Sequence, residues 1–161
     1  MGEPDATGPG VTLVAVDADR TRDALAGDLG GWRAGRGWPH DDTVHAFAFT
    51  EIGGRTWLVV DDSGVVVGEA GTKGPPSSRG AVEIGYGLAA PSRGRGIGTA
   101  AVRALVELLR RDPAIAVVEA DVALDNLASQ RLLERVGFSC VGSDDRELHY
   151  ALELRSRPDV G

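Results

Sequence analysis

The segment Val82-Glu83-Ile84-Gly85-Tyr86-Gly87-Leu88 alternates apolar and small or charged residues, and runs within a few residues into Arg93-Gly94-Arg95-Gly96-Ile97-Gly98-Thr99. A helical pattern opens directly from that turn, covers Thr99 to Arg111 and stops at Asp112-Pro113; Ile115 to Leu124 then reads as a second strand. Strand, helix and strand in this order form a βαβ unit, so the two strands are expected to be parallel with a right-handed crossover.

The turn between strand and helix has the chemistry of an anion site. Glycines without Cβ let consecutive backbone N–H groups converge, the helix start adds roughly half a positive charge, and Arg93 and Arg95 add full ones. A phosphate-bearing ligand suits it. A dinucleotide fingerprint, with Glu119 or Asp121 as the ribose acid, fits less well: the spacing is Gly-x-Gly-x-Gly, it comes late in the chain, and only one βαβ unit is present. A phosphate-loop NTPase fails because no Gly-Lys-Ser/Thr follows. Along the preceding strand, Glu83, Gly85 and Gly87 share a face that is nearly bare and leaves room for a ligand.

The rest of the chain supplies further elements. Val11 to Val16 reads as a strand and Asp17 to Leu29 as a helix ending at Gly30-Gly31. After the breaker-rich stretch Trp32 to His40, Asp41-Asp42-Thr43 caps a helix running through Val44, Phe47 and Ala48 to Gly53. Trp57 to Val60 and Val65 to Ala70 form a hairpin around Asp61 to Gly64, and Lys73 to Gly80 is a loop. Asn126 to Val136 is a helix closed by Gly137; Phe138 to Gly142 and Glu147 to Leu154 are strands. Residues 1–10 and 155–161 read as frayed tails around one domain, 11–154, with a three-layer α/β/α fold and a mixed sheet.

Composition narrows the class. With 42% hydrophobic and 25% charged residues, no apolar run of bilayer length and no signal-like start, a cytoplasmic globular domain without membrane attachment is expected. The net charge of −7 disfavours nucleic acid and is compatible with cationic amines. The single cysteine, Cys140, rules out an internal disulfide and is expected to be a buried packing thiol. His40, His45 and His149 lack partners at ligand spacing, so no metal is expected, and Glu69, Lys73, Arg79, Asp144 and Asp145 are read as surface groups.

A second motif follows the first: Asn126-Leu127-Ala128-Ser129 running to Val136-Gly137-Phe138. Together with Arg-x-x-Gly-x-Gly at Arg93 to Gly98 it resembles the GCN5-related N-acetyltransferase family, over about Val65 to Leu154. Glu83 to Leu88 is most similar to the branch that acetylates N-terminal amines of ribosomal proteins. The resemblance implies acetyl-coenzyme A as co-substrate and a mostly antiparallel sheet with one central, splayed parallel pair. It implies that backbone amides of Arg93, Gly94, Arg95, Gly96, Ile97 and Gly98 hold the pyrophosphate, that Thr99 caps a phosphate oxygen, and that Leu88, Ala89 and Asn126 lie along the pantetheine arm. A backbone N–H near Leu88 or Ala89 would polarise the thioester carbonyl, a contribution of roughly 3 kcal/mol. It also allows a homodimer, with an exposed final strand.

Amines are mostly protonated at neutral pH, so a base is useful. Glu83 is the candidate, acting through a water; its other reading is an exposed or ion-paired strand carboxylate. Leu133 stands where relatives often carry a tyrosine acid, leaving Ser129, Tyr86 or solvent to protonate the departing thiolate, with Ser129 preferred. Asn126 and Ser129 also have plain roles as helix cap and packing residue. Trp32, Trp38, His40 and Phe47 line an acceptor site or fill a core. The expected function is direct acetyl transfer from acetyl-coenzyme A to a primary amine of a small molecule or peptide N-terminus, without an acyl-enzyme. The alternative is a non-catalytic acyl-coenzyme A sensing module.

Overall fold

A computed structural model describes residues 6–155. In chain order its elements are β1 (Ala6–Gly8), β2 (Val11–Val16), α1 (Ala18–Leu25), β3 (Arg33–Ala34), α2 (Thr43–Ala48), β4 (Thr56–Asp61), β5 (Val65–Thr72), β6 (Ala81–Leu88), α3 (Ile97–Arg110), β7 (Val117–Ala123), α4 (Leu127–Val136), β8 (Ser139–Ser143) and β9 (Glu147–Glu153).

Alternation along β4 shows how the layers arise. Trp57 and Val59 face one way and join Ile84, Val102, Leu105, Leu109 and Leu133; Leu58 and Val60 face the other and join Ala24, Trp38 and Phe47. The sheet is therefore buried on both faces, by α3 and α4 on one side and by α1 and α2 on the other. This is the expected three-layer arrangement. Helix α3 turns Val102, Leu105, Val106 and Leu109 inward at helical spacing, and the full burial of Leu105 alone stabilises the fold by about 1.5–3 kcal/mol.

The sheet order is β1-β2-β4-β5-β6-β7-β9-β8, with β3 beside β5. Pairings are antiparallel except β3 with β5 and β6 with β7, the latter being the pair joined by the α3 crossover. Strands β6 and β7 pair only at Ala81↔Val117, Val82↔Val118 and Glu83↔Glu119. Beyond Glu83, β6 stays with β5 as far as Leu88 while β7 stays with β9 as far as Ala123. The two strands thus part, and a gap opens at the centre of the sheet.

Several elements differ from the sequence expectation. Residues 6–8, placed in a frayed tail, pair with β2, since Gly10 at φ 74° lets the chain double back. Helix α1 ends at Leu25 and not Leu29, four residues early, where Gly27 turns the chain at φ 97°. Helix α3 starts at Ile97 and not Thr99, because Gly96 serves as its left-handed N-cap. The helix to Gly53 is one short α-helix continued by a 3₁₀ turn over Phe49–Ile52. The last strand, β9, is interior; the free edge belongs to β8, whose five residues are all exposed. Cys140 lies on that edge and is exposed, which corrects the expectation of a buried thiol. The tail expected at 156–161, like residues 1–5, lies outside the described residues. Among the described residues no helix is long and apolar enough to cross a membrane.

Candidate active site

The glycine-arginine turn sits at the N-terminus of α3 and at the mouth of the gap. Gly94 and Gly96 have φ 77° and 78°, and a Cβ built on either would meet nothing within 4 Å. They are glycines for backbone conformation, which leaves an open loop of N–H groups at a positive helix end. Gly98 has a different reason: a Cβ there would lie 2.9 Å from Leu132 Cδ1 and 3.5 Å from Leu88 Cδ1, so it lets α3 pack closely on α4 and β6. Arg93 Nε–H donates to Leu88 O at 3.1 Å and ties the turn to the end of β6. Arg95 shares an open hollow with Asp61 and Asp62 of the β4–β5 turn, and Thr99 lies in the first turn of α3.

Backbone direction along β6 separates the two sequence candidates for the carbonyl donor. Ala89 N–H donates to Val67 O at 2.8 Å, and Glu83 O accepts from Lys73 N–H at 2.8 Å, so the odd-numbered positions turn their backbone toward β5. By alternation Tyr86 and Leu88 turn theirs into the gap. Ala89 N–H is occupied; Leu88 N–H faces the space left by β7.

Across the gap, α4 brings up its first turn. Asn126 is the N-cap, its Oδ1 accepting from Ser129 N–H at 3.2 Å, so the capping role holds. Ser129 and Tyr86, separate alternatives in the sequence, are hydrogen-bonded to each other through their hydroxyls. Burial raises the Tyr86 phenol above its usual range, partly offset by the Ser129 bond. Leu133 is fully buried in the core and faces no ligand space.

On the α2 side of the sheet lies a pocket of about 260 Å³ over Gly85 and Gly87 of β6. The glycines leave room there, but side chains from other elements occupy part of it. A Cβ on Gly87 would lie 2.9 Å from His40 Cε1, and one on Gly85 would lie 3.3 Å from Lys73 Cε. Glu69, expected at the surface, is 2% exposed, because β5 is buried on both faces. Its Oε2 accepts from Trp38 Nε1–H at 2.9 Å and Thr43 Oγ1–H at 3.3 Å, while His40 Nε2 approaches Oε1 at 2.7 Å. Desolvation raises the Glu69 carboxyl above the usual range against those partners. Lys73, also expected at the surface, lines the pocket.

Glu83 ion-pairs with Lys73 Nζ at 2.9 Å and lies with Ser77, Arg79 and Glu119 outside the pocket lining. Trp38 and Phe47 are core residues in edge-to-face contact, and Trp32 stands apart, near Gly64. Sequence reasoning missed Glu69. The signal was present: a carboxylate in the middle of Val65-Val66-Val67-Gly68-Glu69-Ala70, a run too apolar for a surface strand.

Comparisons with known proteins agree with this arrangement. The sequence matches the acetyltransferase (GNAT) domain family over residues 11–139. It is 28% identical over 138 residues to the uncharacterized N-acetyltransferase YjdG of Bacillus subtilis (strain 168), covering 80% of this chain and 82% of that one. Similar solved structures include RimL, a ribosomal alpha-N-protein acetyltransferase in complex with coenzyme A (TM-score 0.68, 18% identity, 95% of this chain and 98% of that one). Another is the aminoglycoside acetyltransferase AAC(6')-Ib with coenzyme A and kanamycin (TM-score 0.66, 21% identity, 89% and 94%). Sequence match, splayed sheet and glycine-arginine turn converge: the chain belongs to the GCN5-related N-acetyltransferase family, whose donor is acetyl-coenzyme A.

Proposed function

We propose that acetyl-coenzyme A enters on the α3–α4 side of the sheet and that a primary amine reaches it through the pocket on the α1–α2 side. The observation that carries this reading is the gap beyond Glu83, where β6 leaves β7, with the turn at Arg93–Gly98 at the end of β6 and the pocket over Gly85 and Gly87 on the same strand. Backbone N–H groups of Gly94 to Gly98, with Arg93, Arg95 and Thr99, hold the pyrophosphate at the helix end. Leu88, Ala89 and Asn126 border the pantetheine arm. The co-substrate supplies an activated acetyl thioester.

This chain's residues do the rest. Leu88 N–H stabilises charge on the carbonyl oxygen, since it is a donor already in place before the reaction. Tyr86 and Ser129 form one proton-donating pair for the departing sulfur, with the phenol kept protonated by burial. That pair stands in for the tyrosine absent at Leu133 and favours the enzyme over a sensing module. Lys73 borders the acceptor pocket, and Glu83 pairs with it from outside the lining. The enzyme acts in the cytoplasm on an amine, without nucleic acid or membrane, and a second copy can pair along the β8 edge.

Two acceptor classes follow from the neighbours, peptide N-termini and aminoglycosides, and short polyamines make a third. Thiol release from acetyl-coenzyme A, measured against all three with calorimetric coenzyme A binding, tests the reading. Release with one class is expected. Tight binding with release from none would favour the sensing module.

A further inference from the structure

His40 has no task in the mechanism above, yet its ring lines the pocket. It rests on Gly87, where a Cβ would fall 2.9 Å from Cε1 and 3.0 Å from Nε2. Gly87 immediately precedes Leu88, whose N–H serves the carbonyl oxygen, so His40 stands beside the peptide next to the reacting carbon. Behind it is Glu69, paired across the strands with Gly87.

The two ring nitrogens are in different surroundings. Nε2 is buried, 2.7 Å from Glu69 Oε1, and directs no well-aligned hydrogen bond to any group. On the exposed side, Nδ1 accepts a long hydrogen bond of 3.3 Å from Asp42 N–H. An accepting Nδ1 puts the proton of the neutral ring on Nε2, facing the carboxylate. Trp38 and Thr43 hold the other carboxylate oxygen, which fixes Glu69 and hence the ring. A carboxylate withdrawn from water is costly unless a positive charge is set against it. A proton gained by His40 would supply that charge.

We infer that His40 Nδ1 is the general base for the acceptor amine and that Glu69 is its positioning residue, an assignment that rests on the acetyl-transfer reading. The incoming ammonium gives a proton to Nδ1, which gives up its contact with Asp42 N–H. The freed nitrogen lone pair attacks the thioester carbon, and the carbon–sulfur bond breaks with its electron pair going to sulfur. Sulfur takes a proton from the Tyr86–Ser129 pair. The new amide loses its remaining extra proton to solvent, solvent reprotonates the Tyr86–Ser129 pair, and the imidazolium releases its proton to solvent, so that one proton is freed for each amide formed. Glu83 is less suited to this step, being occupied by Lys73 outside the pocket lining. The other titratable or charged groups around the ring are Asp42 and His45 at α2 and Lys73 just after β5, with Glu83 behind it on β6.

The test compares the full chain with H40Q and E69Q, using acetyl-coenzyme A and the amine found in the panel, from about pH 6 to about pH 9.5. H40Q should lower kcat about 100-fold near neutrality. The deficit should shrink to about tenfold at the alkaline end, where free amine accumulates. Coenzyme A affinity should stay within about threefold, since His40 lies on the acceptor side. E69Q should cost about tenfold in kcat and move the acid limb of the pH profile. An H40Q enzyme within about threefold of wild-type kcat, with an unchanged profile, overturns the assignment. Should H40Q fail to bind coenzyme A, H40A with added imidazole decides: recovered turnover upholds the base, and none overturns it. Wild-type protein that acetylates no amine removes both this inference and the reading beneath it, whereas wild-type turnover with unimpaired H40Q removes this one alone.

Discussion

Two glycines one strand apart show what a single hydrogen in place of a methyl does here. A Cβ on Gly68 would lie 2.2 Å from Gly87 O, against backbone that cannot move without parting β5 from β6; on Gly87 it would press on the His40 ring at 2.9 Å and touch Glu69 Oε1 at 3.5 Å, side chains and no backbone. Gly68→Ala should therefore destabilise the fold by about 3 kcal/mol or more. Gly87→Ala should leave the melting temperature nearly unchanged and lower turnover by displacing His40. Thermal unfolding and kcat on both variants check this; a stable Gly68→Ala protein, or a fully active Gly87→Ala one, contradicts it. The same residues mark the limit of local reading. Gly94 and Gly96 are legible because their reason lies in their own backbone and the adjacent arginines. His40 and Glu69 meet only because the segment from Trp38 to Thr43 is laid across β5, and no pattern near either residue in the chain carries that long-range contact.

Elements built on local periodicity were legible to within a few residues, while those made by long-range pairing were not. The three-residue β1 and two-residue β3 are too short for a period and exist because β2 and β5 offer them an edge. The β8–β9 hairpin shows long-range pinning of another kind. His149 on β9 lies between two carboxylates: Nδ1 is 2.6 Å from Asp121 Oδ1 on β7, and Nε2 is 3.2 Å from Asp144 Oδ2 in the hairpin turn. The hydrogen bond to Asp121 comes first in raising the His149 pKa, opposed by desolvation and aided by both negative charges. Because the folded value lies above the unfolded one, the stabilising contribution is complete below the ordinary histidine value of about 6.5. It is lost as pH climbs through the raised folded value. NMR titration of His149 should give a midpoint above the ordinary value, and Asp121→Asn should bring it down. A midpoint at or below the ordinary value would remove the pin.

At the scale of the whole molecule, the gap between β6 and β7 is a cost that the fold carries on behalf of its ligand. Past Glu83 the two strands forgo pairing with each other, and α4 reaches β6 through the Tyr86–Ser129 bond and packs on α3 with Leu132 over Gly98. A molecule that satisfies Leu88 N–H and the turn at Arg93–Gly98 binds the folded state alone, so it must raise stability by mass action. Coenzyme A at about 100 times its dissociation constant should add about 2.7 kcal/mol. For a chain of this size that is a rise of about 5–10 °C in melting temperature. Arg95 is exposed at the anion turn. Arg95→Glu should therefore leave the ligand-free melting temperature within about 2 °C of wild type, as surface substitutions do. It should abolish most of the ligand-induced rise, and added salt should weaken that rise in the wild type, because the turn's charge acts through screened electrostatics. Differential scanning fluorimetry with and without coenzyme A measures all three. An undiminished rise in Arg95→Glu would mean that this arginine takes no part in holding the diphosphate and that the helix end and backbone amides hold it alone.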